Sequence, residues 1–585
     1  MIKKKIIDIS IMIIFCLFVT AIFMIPTMDG MLRIGADTTF HVNRIIGLAN
    51  AIENNDFFPK ILFNQNYNFG YGSPMFYSIF YLYPFAFLYN TGKIPYEIYC
   101  ITIFAITFFS ALSMYKCATL FYHKKRSIYI YLTVFIYIIN LYVLSNIYKR
   151  GAIGEGFAFI FVPIVIYAMY KIVYVDKRSW VLLALSFSGL LLAHNITFIL
   201  MCIVFGLLLI IEYKRVLKDK GLIIYILIAV VVAILLTSFF TLMMFEQLSG
   251  GLYRISYYFN SDTLIGINLK ELFNFKNGDG VYLNNNLGPI LMLLPWFTYF
   301  TDKSKNKKFM VLLVTCGYIM VYMTTIYFPW DLFKFMTFLQ FPTRLLTPAC
   351  AFMSLGVGYG LSNISLKKKI KKPLVNTILI TTVIVSLFNL YGIISEWGNF
   401  TNITTEKELS DVSMVVTDKN PWYNIMEVSS PDYIFYESDI HFKDYGRIIK
   451  TNNEENDRTG FDEREYNKLV FTIGEVKEDA YYILPISYYK GYVIDEYEID
   501  QDEKETFIKQ IISYPDEKTG LVRFDVDPYN GGKLLKFEAY YKETNMQFIG
   551  RLISSITLIL VIFYIIFIFI LRLYFKYFYK EKVKA

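Results

Sequence analysis

The sequence predicts a polytopic α-helical membrane protein of about 12 spans, with a β-sandwich-like domain placed before the last span. Three observations carry this expectation. Hydrophobic residues make up 55% of the 585 positions, aromatics 18% and charged residues only 18%, with a mean hydropathy of +0.43, far from soluble globular averages. Apolar runs of spanning length recur through the first 395 residues and again near the C-terminus. Between residues 396 and 547 the chain becomes charged and alternates apolar with polar side chains, as half-buried strands do.

Spans are expected near residues 6–27, 98–121, 127–144, 157–174, 180–193, 196–212, 221–243, 287–301, 309–328, 345–363, 374–395 and 549–573. The basic start followed by the apolar run from Ile6 resembles a secretory signal. The run is long for one and no small-residue cleavage pattern follows, so it reads as a retained first helix. With that basic end cytoplasmic, the inner connectors become His123 to Arg126, Asp176 to Arg178, Lys214 to Lys220, Asp302 to Lys308, Leu366 to Lys372 and the tail Lys576 to Lys584. Each is basic, as the positive-inside bias requires. A multi-pass cell-membrane protein is therefore expected, with both termini cytoplasmic and residues 396–547 extracytoplasmic. The net charge of +8 is then a topology signal rather than a polyanion-binding surface, and nucleic acid is not an expected partner.

Residues 74–90 are apolar enough to suggest a span, but counting it would put every later Lys cluster outside. A half-inserted or interfacial helix is expected instead. The run from Trp180 to Ile211 is interrupted by His194-Asn195 and reads as two short helices meeting at a polar outer turn. The domain boundaries follow: a membrane domain over 1–395 with outer loops 28–97 and 245–286, a β-rich domain over 396–547, and a final helix with a basic tail over 548–585. Strands are expected at Lys468 to Ile473, Tyr481 to Ile486, Leu521 to Val526 and Leu535 to Tyr541, with Asn530-Gly531-Gly532 as a turn between the last two. All six cysteines lie in or beside apolar segments, so the β-rich domain must fold without disulfides, and no cysteine metal site is expected.

Just beyond the first span, Asp37, His41 and Arg44 fall at i, i+4 and i+7 and would share one helix face. Two readings stay open. An acid, an imidazole and a guanidinium converge on a site, or Asp37 caps an amphipathic surface helix with His41 and Arg44 on its wet side. The same level holds Lys149, Arg150, Glu155, His194, Asn195, Glu246 and Arg344, each flanked by apolar helix. Ionisable groups near hydrocarbon usually face a cavity or each other. Lys149 and Arg150 would equally suit a headgroup phosphate, and His194-Asn195 a helix cap. The loop Asn64 to Tyr77 sets aromatics, Tyr71 among them, between Asn and Gly; it suits stacking on sugar faces or anchoring at a membrane interface. Asp37 with His41 could bind a divalent metal, though two ligands specify none, and no cofactor is otherwise indicated. No HExxH, Walker loop, dinucleotide fingerprint or GxSxG elbow occurs, which leaves cytoplasmic nucleotide chemistry without support.

These residues resemble a known family. The segments Gly35 to Arg44, Asn68 to Tyr77, Tyr148 to Ala158, Leu192 to Thr197, Leu339 to Leu346 and Leu484 to Tyr492 together look like the polytopic proteins catalogued as 6-pyruvoyl-tetrahydropterin synthase-related membrane proteins, which in turn resemble YfhO-type and other GT-C glycosyltransferases. The resemblance implies a GT-C-like fold and transfer of a sugar from a polyprenyl-phosphate donor to a cell-envelope glycan or polymer on the outer face, beside membrane lipids. It assigns Asp37 the role of base or metal ligand, by position. Many GT-C enzymes carry paired acids there, whereas Thr38 and Thr39 follow Asp37, which leaves metal dependence open.

On this reading Asp37 and His41 are catalytic, and Arg44, Tyr71, Arg150, Glu155, His194, Asn195 and Arg344 bind substrate. A transporter or flippase of lipid-linked sugars is the rival; matching repeats and helices broken near the midplane would mark it. A third reading is a non-catalytic envelope-binding or assembly protein that works through its β-domain.

Overall fold

A computed structural model describes residues 2–28, 32–33, 35, 37–122, 127–249, 253–255, 264–272, 286–302, 306–398, 415–416, 433–434, 448–452, 462–474, 476, 478–529 and 533–582. The expected connector His123 to Arg126 and the turn Asn530 to Gly532 lie outside them.

Eight helical segments among the described residues are long and apolar enough to cross a bilayer: Lys5–Phe23, Pro95–Ala118, Ile128–Arg150, Ile153–Val175, Lys220–Leu248, Pro342–Asn363, Lys369–Ile394 and Asn545–Tyr574. The other runs expected to span are shorter than these eight. The remaining apolar runs form shorter helices, Trp180–Ala193, Asn195–Ile211, Lys307–Met323 and a turn-rich pair over Gly288–Thr298. The reasons are local. His194 adopts an extended backbone (φ −159°, ψ 109°) that splits one pair, and Pro289 and Pro295 break the other into short pieces. The segment 73–89 folds as three short pieces, Ser73–Phe76, Phe80–Leu82 and Tyr83–Tyr89, none of spanning length.

Helix ends are built from sequence signals. Asp219 caps Lys220–Leu248 by accepting from the Gly221 and Leu222 N–H groups. Pro95 begins Pro95–Ala118, where the Glu97 side chain reaches back to the Ile94 N–H at 3.2 Å. The Ile128–Arg150 span is interrupted at Ile139–Asn140. Asn140 Nδ2 then donates to the Tyr137 and Ile136 carbonyls, and Ser386 Oγ donates to the Ile139 carbonyl, so the freed acceptors stay satisfied.

The described basic connectors around 177, 214–220 and 308 meet at one end of the bundle. Lys177 pairs with Asp219 at 2.8 Å and Lys308 with Glu212 at 2.6 Å, linking the stretches around 177, 212–219 and 308. Helices Ile153–Tyr170, Trp180–Ala193 and Asn195–Ile211 run between that end and the one holding Glu155 and His194.

At the latter end sits a β-domain of two antiparallel sheets. Strands are β1 Leu32–Arg33, β2 Val415–Val416, β3 Lys450–Thr451, β4 Glu463–Glu465, β5 Lys468–Ile473, β6 Tyr481–Ser487, β7 Tyr492–Ile499, β8 Glu505–Ile512, β9 Tyr514–Pro515, β10 Leu521–Asp525 and β11 Leu534–Tyr541. The sheet orders are β3-β6-β10-β9 and β4-β5-β11-β7-β8. Phe471, Tyr482, Phe524 and Phe537 pack between the sheets with ring centroids 5.2–6.3 Å apart. Strands β10 and β11, expected to be joined by a turn, lie in different sheets, so their connection crosses the sandwich. β1 pairs with β2, tying the first loop to the start of the β region.

The two parts share one core. Phe76, Phe240, Met243 and Tyr253 pack in the same buried cluster as Phe471, Tyr489 and Phe537. Tyr71 is 1% exposed there, so the loop Asn64 to Tyr77 is packed rather than offered to solvent.

Candidate functional site

Asp37 occupies the N-cap position of the helix Thr38–Glu53 but makes no side-chain capping bond. Its N–H donates to the Arg150 carbonyl at 2.8 Å, and its Oδ2 meets Arg150 Nε at 2.8 Å. The corner that receives it is shaped by glycine. Gly151 sits at φ +75° against Thr38 Oγ1, and Gly35 lies against the Lys149 carbonyl.

Arg150 uses its other arm on Glu155, with Nη1 2.7 Å from Oε2. The Glu155 side chain is 1% exposed, and its Oε1 accepts from the Tyr142 hydroxyl at 2.6 Å and from Thr347 Oγ1. A buried carboxylate is thereby fully engaged. The Arg150 guanidinium also lies 4.7 Å from the Phe341 ring centroid, and Arg344 lies 4.2 Å from the same ring. Arg344 donates from Nη1 to the Leu339 carbonyl and to Gln340 Oε1. Among the described residues it pairs with no carboxylate, and its Nε is buried without a partner. The charges of Arg150, Glu155 and Asp37 reach it.

His194 caps the helix Asn195–Ile211. Nδ1 accepts from the Thr197 N–H at 3.3 Å and contacts Thr197 Oγ1 at 2.8 Å. An accepting Nδ1 leaves the proton on Nε2, so His194 presents a donor there. Burial holds its pKa down at about 3, with Glu155 opposing that fall and Arg344 and Arg150 adding to it.

His41 is buried, with Nε2 3.4 Å from the Gly154 N–H and Nδ1 3.4 Å from Arg44 Nη1. A neutral imidazole can accept at only one of these nitrogens. Burial, then the charges of Arg44, Arg150 and His194, push its pKa well below the usual histidine range. Arg44 is 2% exposed and donates from Nη2 to the Tyr77 and Ser78 carbonyls, 2.7 Å each, between the rings of Phe40 and Tyr77. Burial lowers its pKa.

The arrangement corrects several expectations. Asp37 does not cap a surface helix, and His41 and Arg44 do not face water. The helix lies under Tyr77 and Tyr433, not on a membrane surface. Asp37 and His41 are turned to different partners, and no cluster of three or more metal-ligating side chains occurs among the described residues, so the residues present do not fit a divalent metal. Tyr71 is enclosed against Phe40 and Tyr433 and has no face for a sugar. Asn195 bonds the Phe76 carbonyl at 3.5 Å and Met244 Sδ, and Arg150 is already neutralised by two carboxylates. Glu246 stands apart, bonded to Thr544 Oγ1 and Gln547 at the root of the last helix. Four residues of the site went unmarked in the sequence: Tyr77, Tyr142, Phe341 and Thr347. Tyr77 and Phe341 lie inside the matched segments, whereas Tyr142 and Thr347 are polar atoms hidden in apolar runs.

No family model matches the chain. An uncharacterized protein of Lactococcus lactis subsp. cremoris (strain MG1363) is 26% identical over 258 residues, 42% of this chain and 41% of that one, so the chain spans less than half of that relative. Among solved structures, the chain is similar to the mycobacterial arabinofuranosyltransferase AftD, with TM-score 0.42 and 11% identity over 66% of this chain and 27% of that one. It is also similar to the arabinosyltransferase EmbB from Mycobacterium smegmatis, with TM-score 0.34 and 9% identity over 92% and 65%. At these scores neither likeness bears on fold or function.

Proposed function

We propose that the chain is a GT-C-like membrane glycosyltransferase that moves a sugar from a polyprenyl-phosphate donor to a cell-envelope acceptor, at the extracytoplasmic end of its bundle. The observation that carries this is the half-buried carboxylate of Asp37, 33% exposed, whose charge reaches Arg344, a buried cation paired with no carboxylate among the described residues, while the charge of Arg344 in turn reaches His194.

In this reading Asp37 orients the acceptor hydroxyl and takes its proton as the new glycosidic bond forms. Arg344 and His194 donate to the departing phosphate, whose lipid tail stays in the bilayer. Arg150 and Glu155 are positioning residues: their ion pair fixes the carboxylate of Asp37 rather than touching substrate. The basic connectors at the opposite end support a cytoplasmic assignment for that end. The reading is tested by reconstituting the full chain with lipid-linked sugars extracted from cells lacking the protein. Wild type is expected to consume a donor that Asp37→Asn leaves intact; equal consumption by Asp37→Asn contradicts it.

A second reading, a flippase for lipid-linked sugars, draws on the interruption of the Ile128–Arg150 span at Asn140, since broken spans mark transporter sites. Movement of lipid-linked sugar across protein-containing vesicles without acceptor would favour it.

A further inference from the structure

We propose that the cavity beside Arg44 is a binding site for a water-sized monovalent anion of the halide class. The inference does not rest on glycosyl transfer.

The cavity lies between the helix Thr38–Glu53, the 77–82 segment and the start of Ile153–Tyr170, and it has room for about one water-sized body. His41, Arg44, Tyr77, Ser78, Ile153 and Gly154 contribute to its wall. Arg44 supplies a full positive charge at a place 2% exposed, and among the described residues no carboxylate lies within ion-pair distance of it. Its Nη2 is used on two backbone carbonyls, but its Nε is buried with no partner. A buried cation without a counter-charge is strongly disfavoured, and carbonyl dipoles and ring faces offset only part of that.

The rest of the wall favours an anion over a cation. Ile153 and Gly154 open an 18-residue helix, so the positive end of its dipole faces the same space. Tyr77 brings a hydroxyl that lies against Gly154 and makes no hydrogen bond among the described residues, and Ser78 a hydroxyl that accepts from the Phe80 N–H and keeps its own proton to donate. The acids nearest in sequence are turned elsewhere, Asp37 to Arg150 and Glu155 to Arg150, Tyr142 and Thr347. Size narrows the class: the space is too small for a phosphate or a sugar carboxylate, which leaves a single-atom anion.

The test uses the full chain purified in detergent, with thermal unfolding followed in chloride and in gluconate at equal ionic strength. Wild type is expected to gain a saturable rise of at least about 2 °C in chloride, reproduced by bromide. Arg44→Gln is expected to melt at the same temperature in both salts. A wild type indifferent to the anion, or an Arg44→Gln variant with the wild-type response, overturns the proposal in favour of a bound water. Should Arg44→Gln fail to fold, bromide-soaked crystals of wild type decide: an anomalous peak within hydrogen-bond reach of Arg44 Nε supports the site, and its absence overturns it. Because the readout is anion-dependent stability, it leaves the glycosyltransferase reading untouched whichever way it falls.

Discussion

Arg150 is the residue on which the site's geometry turns, because it bridges the half-buried Asp37 and the enclosed Glu155. Glu155→Ala leaves Arg150 paired with Asp37 but takes the acceptor from the buried Tyr142 and Thr347 hydroxyls, and is expected to cost about 1–3 kcal/mol, seen as a clear drop in the midpoint of thermal unfolding. Asp37→Asn, at a partly solvated position, should cost under about 1 kcal/mol while removing the proposed proton acceptor. Equal losses for the two would mean that the pair is not organised as described. The histidines give a pH prediction. His41 and His194 are held neutral well below the pKa of about 6.5 that they regain on unfolding. Below that pH the unfolded chain takes up protons that the folded chain refuses, so stability is full above about 6.5 and declines as pH falls. Each histidine contributes a slope of up to about 1.4 kcal/mol per pH unit. Replacing His194 by Asn should remove one such contribution, measurable as a shallower loss of unfolding temperature between pH 6.5 and 5.

The elements that bring these residues together meet at glycine contacts. A side chain at Gly151 would collide with Thr38 Oγ1 and would need φ +75°, and one at Gly154 would collide with Tyr77 Oη. Gly151→Ala is expected to destabilise by more than about 1 kcal/mol, and Gly154→Ala to displace Tyr77 and disturb the wall it shares with His41. Melting curves of both variants check this; wild-type behaviour from both would show that the helices are not in contact. At this scale the sequence was legible in part. Asp37, His194 and Arg344 stand out because ionisable groups beside apolar runs are uncommon, and the split at His194-Asn195 follows from a polar pair inside an overlong run. Tyr142 and Thr347 carry no such mark, since one hydroxyl in an apolar helix is usual. Strands β7 and β8 were hidden by their acids and lysines: Tyr492, Ile494 and Glu496 alternate buried with half-buried neighbours, but Asp495, Glu496 and Glu498 mask the pattern. The surface-helix alternative fails because burial of His41 and Arg44 depends on the 73–89 segment and Tyr433, which no local spacing encodes.

In the whole molecule the β-domain is not a detachable module. Its core continues through Tyr489 and Tyr253 to Phe76 and Phe240, and Gln247 bonds Lys490 across the junction at 2.9 Å. Residues 396–547 expressed alone should expose this apolar face and aggregate or fold incompletely, whereas a monomeric, cooperatively melting fragment would show that the shared core is dispensable. The most direct measurement of the central claim, that Asp37, His194 and Arg344 share one site for a lipid-linked phosphate, is polyprenyl-phosphate binding by the full chain in nanodiscs. Loss of a charged hydrogen-bonding partner should weaken Arg344→Ala by about tenfold or more, while Asp37→Asn binds like wild type; an Arg344→Ala variant that binds as tightly as wild type would contradict the account.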